Sequence, residues 1–256
     1  MSAVSINDNT PKYTHESKSQ STLSKQVCVL IGHSIEAITS AVVLASLGQR
    51  VHLYADIELL TQQIHQYGFE HHLQALWQMY EQQQVIIIAA LPASADTLIQ
   101  YYETAGHDDV NNQSAVTIYW LFLDSIKPVW ADTNWITAFN HSHHQSLPLI
   151  ISGIEKLGIV SALSQRLQRA WVYYVPFVFL QDGEAYSSML NPSLWLLGEK
   201  TANSSQHLEV LKPLIQHARA AHHADIATIE FARSSIMAML ATRVSFMNEM
   251  SRLADS

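Results

Sequence analysis

The stretch that decides the fold is Val27-Cys28-Val29-Leu30-Ile31-Gly32-His33-Ser34-Ile35-Glu36-Ala37, followed by Val51-His52-Leu53-Tyr54. Val27 to Ile31 is an unbroken apolar run rich in β-branched residues, the pattern of a strand buried on both faces of a parallel sheet. Gly32 ends it. Ile35, Ile38, Ala41, Val42 and Ala45 then recur at helical spacing up to Gly48, a residue suited to the left-handed position after a helix. Val51 to Tyr54 is a second short strand. The whole unit has the size of a parallel strand–helix–strand crossover.

The pattern repeats outward. Further strands are expected at residues 85–90 and 116–122, with helices at 57–67, 73–83 and 95–102 between them. Alternating strands and helices argue for an α/β, doubly wound, mainly parallel sheet. Residues 135–148 are polar and His-rich and are expected to be a loop. Residues 149–169 read as one or two helices, 172–180 and 193–197 as strands, and 213–220 as a short helix with its proline in the first turn. Residues 228–253 form one long helical pattern without Gly or Pro, roughly 39 Å at the α-helical rise. Ile229, Ile236, Leu240, Val244, Met247 and Met250 line one stripe of it, and Phe231, Met239 and Phe246 broaden that stripe. A face this wide needs more than one partner. The division is therefore a flexible tail at 1–24, too polar to offset its ordering entropy, an α/β domain at 25–224, and a long helix at 225–256.

Composition narrows the function. Hydrophobic residues make up 48% of the 256 and charged residues 14%, so a large core is available. The net charge of -8 lacks the basic footprint that nucleic acid requires. No apolar run approaches the roughly 18 residues of a membrane span, and the N-terminus has no apolar signal segment, so the expected compartment is the cytoplasm. A single cysteine, Cys28, permits no intrachain disulfide and no multi-cysteine metal site.

Gly32-His33-Ser34-Ile35-Glu36-Ala37 stands where a Rossmann dinucleotide fingerprint, G-x-G-x-x-G/A, belongs. Gly32 can make the tight turn and Ala37 can allow close helix–strand packing. Ser34 replaces the glycine that lets backbone approach a pyrophosphate. Glu36 suits the helix dipole but repels a phosphate. A ribose-binding acid should end the second strand; Ala55 stands there, and Asp56 comes one residue later, on the other face. Two readings stay open: a turn that binds NAD weakly through Gly32, His33, Ser34, Ile35, Ala37 and Asp56, or a Rossmann turn that no longer binds a nucleotide.

The later third of the chain is more specific. Phe179-Leu180-Gln181-Asp182-Gly183-Glu184-Ala185, then Leu190-Asn191-Pro192 and Leu196-Leu197-Gly198-Glu199, resembles the P-E-F-L-R/K-E-G-x-A and P-D/N-R…G segments of the UDP-glucose/GDP-mannose dehydrogenase family. Glu230-Phe231-Ala232-Arg233 with Leu240-Ala241-Thr242-Arg243-Val244-Ser245-Phe246-Met247-Asn248-Glu249 resembles its E-x-x-K…F-L-A-x-K/R-I/V-S-F-x-N-E helix. Asp124-Ser125-Ile126-Lys127-Pro128-Val129 is similar to its K-S-T-V-P-V segment, which adds Ser125 to the candidate cofactor residues.

The resemblance implies a Rossmann domain followed by the first middle-domain helix, with NAD as cofactor and a nucleotide sugar as substrate. It also implies oxidation of an alcohol to a carboxylate through a cysteine-bound intermediate, which needs a thiolate, a proton acceptor and an oxyanion donor. The family's nucleophilic cysteine lies beyond the long helix, and this sequence ends before such a segment. Cys28 lies in the expected first strand, as an inert core thiol. The helix lysine becomes Arg233, which does not exchange protons near neutral pH. The helix asparagine becomes Met237, which donates no hydrogen bond. The family's two glutamates become Val178 and Asp182, its threonine becomes Ile126, and an arginine becomes Leu194. Packing positions match (Phe179, Leu180, Gly183, Leu240, Ala241, Phe246) while chemical ones mostly do not; Asn248 and Glu249 match but read as structural.

The expectation is therefore a degenerate, C-terminally shortened relative without a confident catalytic residue, in which Asp182, Arg233 and Met237 mark vestigial positions. It would serve as a binding or regulatory module linked to surface-polysaccharide metabolism. The alternative is an NAD-dependent oxidoreductase that retains cofactor binding. The long helix, its usual neighbours missing, is expected to pair two chains into a homodimer. A nucleotide or nucleotide sugar is the candidate small-molecule partner.

Other clusters carry less. His141-Ser142-His143-His144, His71-His72 and His222-His223 lack cysteine or paired carboxylates, so no metal site is assigned. No G-x-S-x-G elbow is present. Trp130 and Trp135 fit either a buried cluster or an exposed patch.

Overall fold

The computed structural model describes residues 26–67, 70–88, 94–104, 115–123, 133–141, 146–178 and 185–254. The expected tail at 1–24 lies outside them. Eight strands form one sheet: β1 (Gln26–Ile31), β2 (Arg50–Tyr54), β3 (Val85–Ile88), β4 (Ala115–Phe122), β5 (Leu149–Ser152), β6 (Val172–Tyr174), β7 (Trp195–Glu199) and β8 (Ala221–Asp225). Their order is β3-β2-β1-β4-β5-β6-β7-β8. Every neighbouring pair is parallel except β6 with β7. The expected doubly wound α/β sheet is thus present, and the chain reverses its winding between β1 and β4, where such sheets place their ligands.

The helices among the described residues are α1 (Ile35–Ser46), α2 (Ile57–Tyr67), α3 (Glu70–Glu81), α4 (Ala95–Thr104), α5 (Thr133–His141), α6 (Ile159–Arg166), α7 (Ala185–Leu190), α8 (Lys212–His217) and α9 (Ile226–Ala254). Strand alternation divides the core into two layers. Cys28 and Leu30 point to the layer containing Ile38, Leu44, Leu76 and Trp195. Val27, Val29 and Ile31 point to the layer containing Leu98, Ile99, Trp135 and Phe139. The second layer holds a buried cation: Arg169 donates to the carbonyls of Phe139 (3.1 Å) and Leu147 (3.2 Å) and lies 5.3 Å from the Phe139 ring centroid. Burial draws its pKa down to about 10, with Tyr119 acting in the opposite sense, so it stays charged at neutral pH.

Several expected elements need correction. Residues 149–169 are not continuous helix. Leu149–Ser152 is β5, paired with β4, and only α6 is helical. Gly153 and Gly158, at φ +120° and +90°, break the segment at backbone angles that disfavour a side chain. Residues 133–141 are helix rather than polar loop, because Trp135, Ile136 and Phe139 form a buried stripe on α5. That places Trp135 in the core; Trp130 lies outside the described residues. The strand expected at 172–180 stops at Tyr174. The Val175 N–H still reaches the Ile151 carbonyl (2.9 Å), but Pro176 has no N–H to continue a ladder. Strand β8 and helix α7 are additions. Strand β8, Ala-His-His-Ala-Asp, is mostly exposed at the sheet edge, so no apolar alternation marks it.

The long helix starts at Ile226, slightly earlier than expected. Asp225 caps it, accepting from the Thr228 N–H (3.0 Å) and hydroxyl (2.6 Å), a satisfied helix start. Its first turns cross β7 closely. A Cβ on Gly198 would lie 3.0 Å from the Ile226 Cα and 3.1 Å from the Tyr174 Cβ.

Candidate functional site

At the switch point, Ile31 ends β1 and Gly32 turns the chain at φ +149°, its N–H donating to the Tyr54 carbonyl (2.9 Å). His33 and Ser34 follow and are both buried. Ser34 is the N-cap of α1: its backbone is extended, and its Oγ accepts from the Ala37 N–H at 3.3 Å. The hydroxyl therefore takes one of the helix-terminal donors that a bound phosphate would use. Glu36 adds a carboxylate to the same first turn. Ala37 is fully buried and serves the close packing expected of it, with the Ile35 side chain half-buried beside it.

The structure brings Asp56 toward this turn but gives it another task. Its Oδ1 accepts from the Leu59 N–H (3.0 Å) and its carbonyl from the Leu60 N–H (3.0 Å), so it caps α2. Ala55, at the ribose-reading position, is buried without a polar group. Burial draws the His33 imidazole below its ordinary pKa, while the Asp56 charge pulls the other way. An NAD pyrophosphate needs open backbone N–H groups, and a ribose needs an unoccupied carboxylate. Ser34, Glu36 and Asp56 do not fit that requirement.

Farther along the sheet edge, the ends of β4–β6 are closed by side chains. Trp120 Nε1 donates to Ser152 Oγ (2.9 Å), which donates to the Val175 carbonyl (2.6 Å). Trp120 stacks on Phe122 with 5.4 Å between ring centroids, and Phe177 lies against both. These hydrogen bonds and ring contacts fill the space beside the strand ends with packed side chains.

Of the vestigial positions, Arg233 is half-buried and acts electrostatically on Tyr174. Burial pushes that phenol up to about 12; Arg233 opposes the rise and Glu230 adds to it. Met237 is exposed on α9. Asp182 and Ser125 lie outside the described residues, as do Ile126 and the Phe179–Gly183 match. Cys28 is a core thiol, fully buried. Burial pushes it up to about 12, against a lowering contact from Thr117, which leaves no thiolate at neutral pH.

No group of three or more His, Cys, Asp or Glu side chains among the described residues is placed to hold a metal ion. His71 and His72 are instead engaged with Tyr186 (ring centroids 6.4 and 5.0 Å), and His141 Nδ1 bonds the Thr137 carbonyl (2.8 Å). No described helix is long and apolar enough to cross a membrane.

Glu230 belongs to the quoted helix motif, but the motif gave it no task. Glu230 is 4% exposed, and its two carboxylate oxygens accept from Val160 N and Ser161 N. The position of Gly158, a cap residue without a side chain, was the available signal.

No family model and no curated protein matches the sequence. Solved structures do match in shape. GDP-mannose dehydrogenase from Pseudomonas aeruginosa superposes with a TM-score of 0.60 at 14% identity, over 87% of this chain and 51% of that one. UDP-glucose dehydrogenase from Pyrobaculum islandicum gives 0.58 at 15% identity, over 91% and 54%. NDP-N-acetyl-D-galactosaminuronic acid dehydrogenase from Methanosarcina mazei gives 0.60 at 9% identity, over 88% and 49%. The chain thus spans about half the length of the structures it matches. At these identities the likeness is one of architecture: this chain carries the Rossmann-type fold seen in structures of the UDP-glucose/GDP-mannose dehydrogenase family.

Proposed function

We propose that the chain is a degenerate relative of the nucleotide-sugar dehydrogenases that works as a binding or regulatory module in surface-polysaccharide metabolism rather than as a dehydrogenase. The observation that carries this reading is the filled turn at the switch point. Ser34 Oγ holds the Ala37 N–H at 3.3 Å in the place where a cofactor phosphate would need backbone donors. Arg233 and Met237 in place of a lysine and an asparagine support the same conclusion. Calorimetry with NAD, UDP-glucose and GDP-mannose tests it. Absence of NAD binding at micromolar concentration is expected; NADH formation from either sugar nucleotide overturns it.

The second reading, an NAD-dependent oxidoreductase of the same type, draws on one observation. Gly32 keeps the positive-φ turn and Ala37 the close packing that the fingerprint requires. Saturable micromolar NAD binding would favour it.

The module also pairs with a second copy through α9, across residues 228–253. Beyond Ile236 the helix is exposed on all sides, Met239, Phe246 and Met250 included. An apolar surface of this extent marks an association site. Light scattering at micromolar concentration is expected to give twice the chain mass, and a monomer would sink this assignment.

A further inference from the structure

Glu199, the last residue of β7, is only 6% exposed. Its Oε2 accepts from the Asn203 N–H (3.2 Å). Its Oε1 is buried with no hydrogen-bond partner among the described residues. Among those residues no lysine or arginine forms a salt bridge with it. Lys200, next in the chain, turns its ammonium to the Leu167 carbonyl. Asp225, opposite Glu199 in the β7–β8 register, is a second carboxylate, exposed and held by Thr228. An ionised carboxylate taken out of water without a counter-charge is costly.

The surroundings are rich in oxygen. Tyr173 stands directly across from Glu199 in the antiparallel β6–β7 pair, so the two side chains share a face of the sheet. The Tyr173 hydroxyl donates to the Ser204 carbonyl (2.7 Å), which also accepts from the His207 N–H (3.0 Å). That carbonyl is thereby saturated, while the phenol oxygen keeps its lone pairs. Burial raises the Tyr173 phenol above its ordinary pKa; the Ser204 contact opposes the rise and the Glu199 charge adds to it. The phenol therefore stays neutral, within reach of the carboxylate's field. Ser204 itself is 4% exposed, and its Oγ also has no hydrogen-bond partner among the described residues.

Glu199, Ser204 and Tyr173 thus gather hydroxyl and carboxylate oxygens around a single negative charge. Hard cations take such ligands, and the set offers no nitrogen or sulfur for zinc or copper. The charge count selects the class. A divalent ion would leave excess positive charge in a buried place, whereas a monovalent ion neutralises the carboxylate. We propose that Glu199 Oε1, Ser204 Oγ and Tyr173 Oη hold a sodium or potassium ion between β6, β7 and the loop at 200–204, with water completing its shell. The ion supplies the counter-charge that the sheet omits and pins the loop to the strands. This assignment depends neither on nucleotide binding nor on self-association.

Thermal melting of the full-length chain tests it, at fixed ionic strength in sodium, potassium or tetramethylammonium chloride, the last cation being too bulky for a buried oxygen site. At an ion concentration about ten times the dissociation constant, the midpoint is expected to rise by about 3–6 °C over tetramethylammonium, and the rise should saturate. Glu199→Gln keeps the shape without the charge and should abolish the dependence. Ser204→Ala should weaken the ion at least tenfold while melting in tetramethylammonium stays close to wild type. Broadening of the sodium NMR line by wild type, lost in Glu199→Gln, reads binding apart from stability. Equal midpoints in all three salts without line broadening would overturn the proposal and leave a proton or a water at Glu199. A dependence that survives Glu199→Gln would also overturn it, because the ion then binds elsewhere. Saturation by magnesium or calcium alone would overturn the monovalent assignment. Should Glu199→Gln not fold, Ser204→Ala and the wild-type sodium NMR line still decide.

Discussion

Glu230 closes the N-terminus of a helix that begins 71 residues before it: its carboxylate oxygens accept from the Val160 N–H at 2.9 Å and the Ser161 N–H at 3.0 Å. The local N-cap, Gly158, has φ +90° and no side chain to offer. The long helix thus supplies the acceptors and the negative charge that the shorter one lacks. It is clasped to α6 at this point, before it enters solvent.

Replacing that carboxylate should loosen both helices. Glu230→Ala leaves two backbone donors unpaired, one of them buried, and is expected to cost about 1–3 kcal/mol for the buried one. Glu230→Gln keeps one acceptor and should fall between. Urea midpoints ordered wild type, Gln, Ala check this; equal midpoints would remove the clasp from the account.

The crossing of α9 over β7 depends on a missing side chain. In Gly198→Ala the new Cβ meets the Ile226 Cα at 3.0 Å and the Tyr174 Cβ at 3.1 Å, neither of them the end of a flexible chain. Overpacking of this kind costs about 1–3 kcal/mol. A thermal melt lowered by roughly 2–10 °C is expected, and an unchanged melt would show that the helix shifts freely.

Opening the turn should restore nucleotide affinity if Ser34 is what closes it. Ser34→Gly with Glu36→Gln frees the Ala37 N–H and removes the adjacent charge, at a cost of only a few tenths of a kcal/mol in capping. NAD affinity measured by calorimetry is expected to rise at least tenfold over wild type. No gain would place the obstacle elsewhere in the cleft.

Acid should weaken the fold through His52. This β2 residue is buried; burial, and secondarily the Arg50 charge, hold its imidazole down at about 4 against an ordinary 6.5. The unfolded chain binds the proton first. The stabilising effect of a neutral His52 is thus complete above pH 6.5 and is lost as pH falls to about 4, to a limit of about 3 kcal/mol. Denaturation of wild type and His52→Val at pH 7 and pH 4.5 checks the sign. The variant should lose less stability on acidification, and parallel losses would contradict it.

Sequence reading reached the sheet where side-chain pattern and strand coincide. The runs at β1, β2 and β4 are buried on both faces, so their apolar continuity is visible without a structure. Cys28 could be assigned to the core for the same reason. The reading failed where the pattern was shared between states. Leu149 to Ser152 is as apolar as a helix would be, and only its pairing with β4 makes it a strand. Strand β8 carries two exposed histidines and no periodicity, and exists because β7 offers an open edge. Helix α5 was legible in Trp135, Ile136 and Phe139, but the polar residues after it concealed the stripe.

The candidate site divides in the same way. That Ser34 stands where a glycine belongs, and Ala55 where an acid belongs, is determined by the sequence alone, because the fingerprint is local and each position has one backbone task. The caps that Ser34 and Asp56 make are local as well, each three residues from its partner. The reach of Glu230 from α9 to the start of α6 is a tertiary result. Hydrogen-bond partners distant in the chain are set by how helices pack on the sheet, and local periodicity carries no record of them.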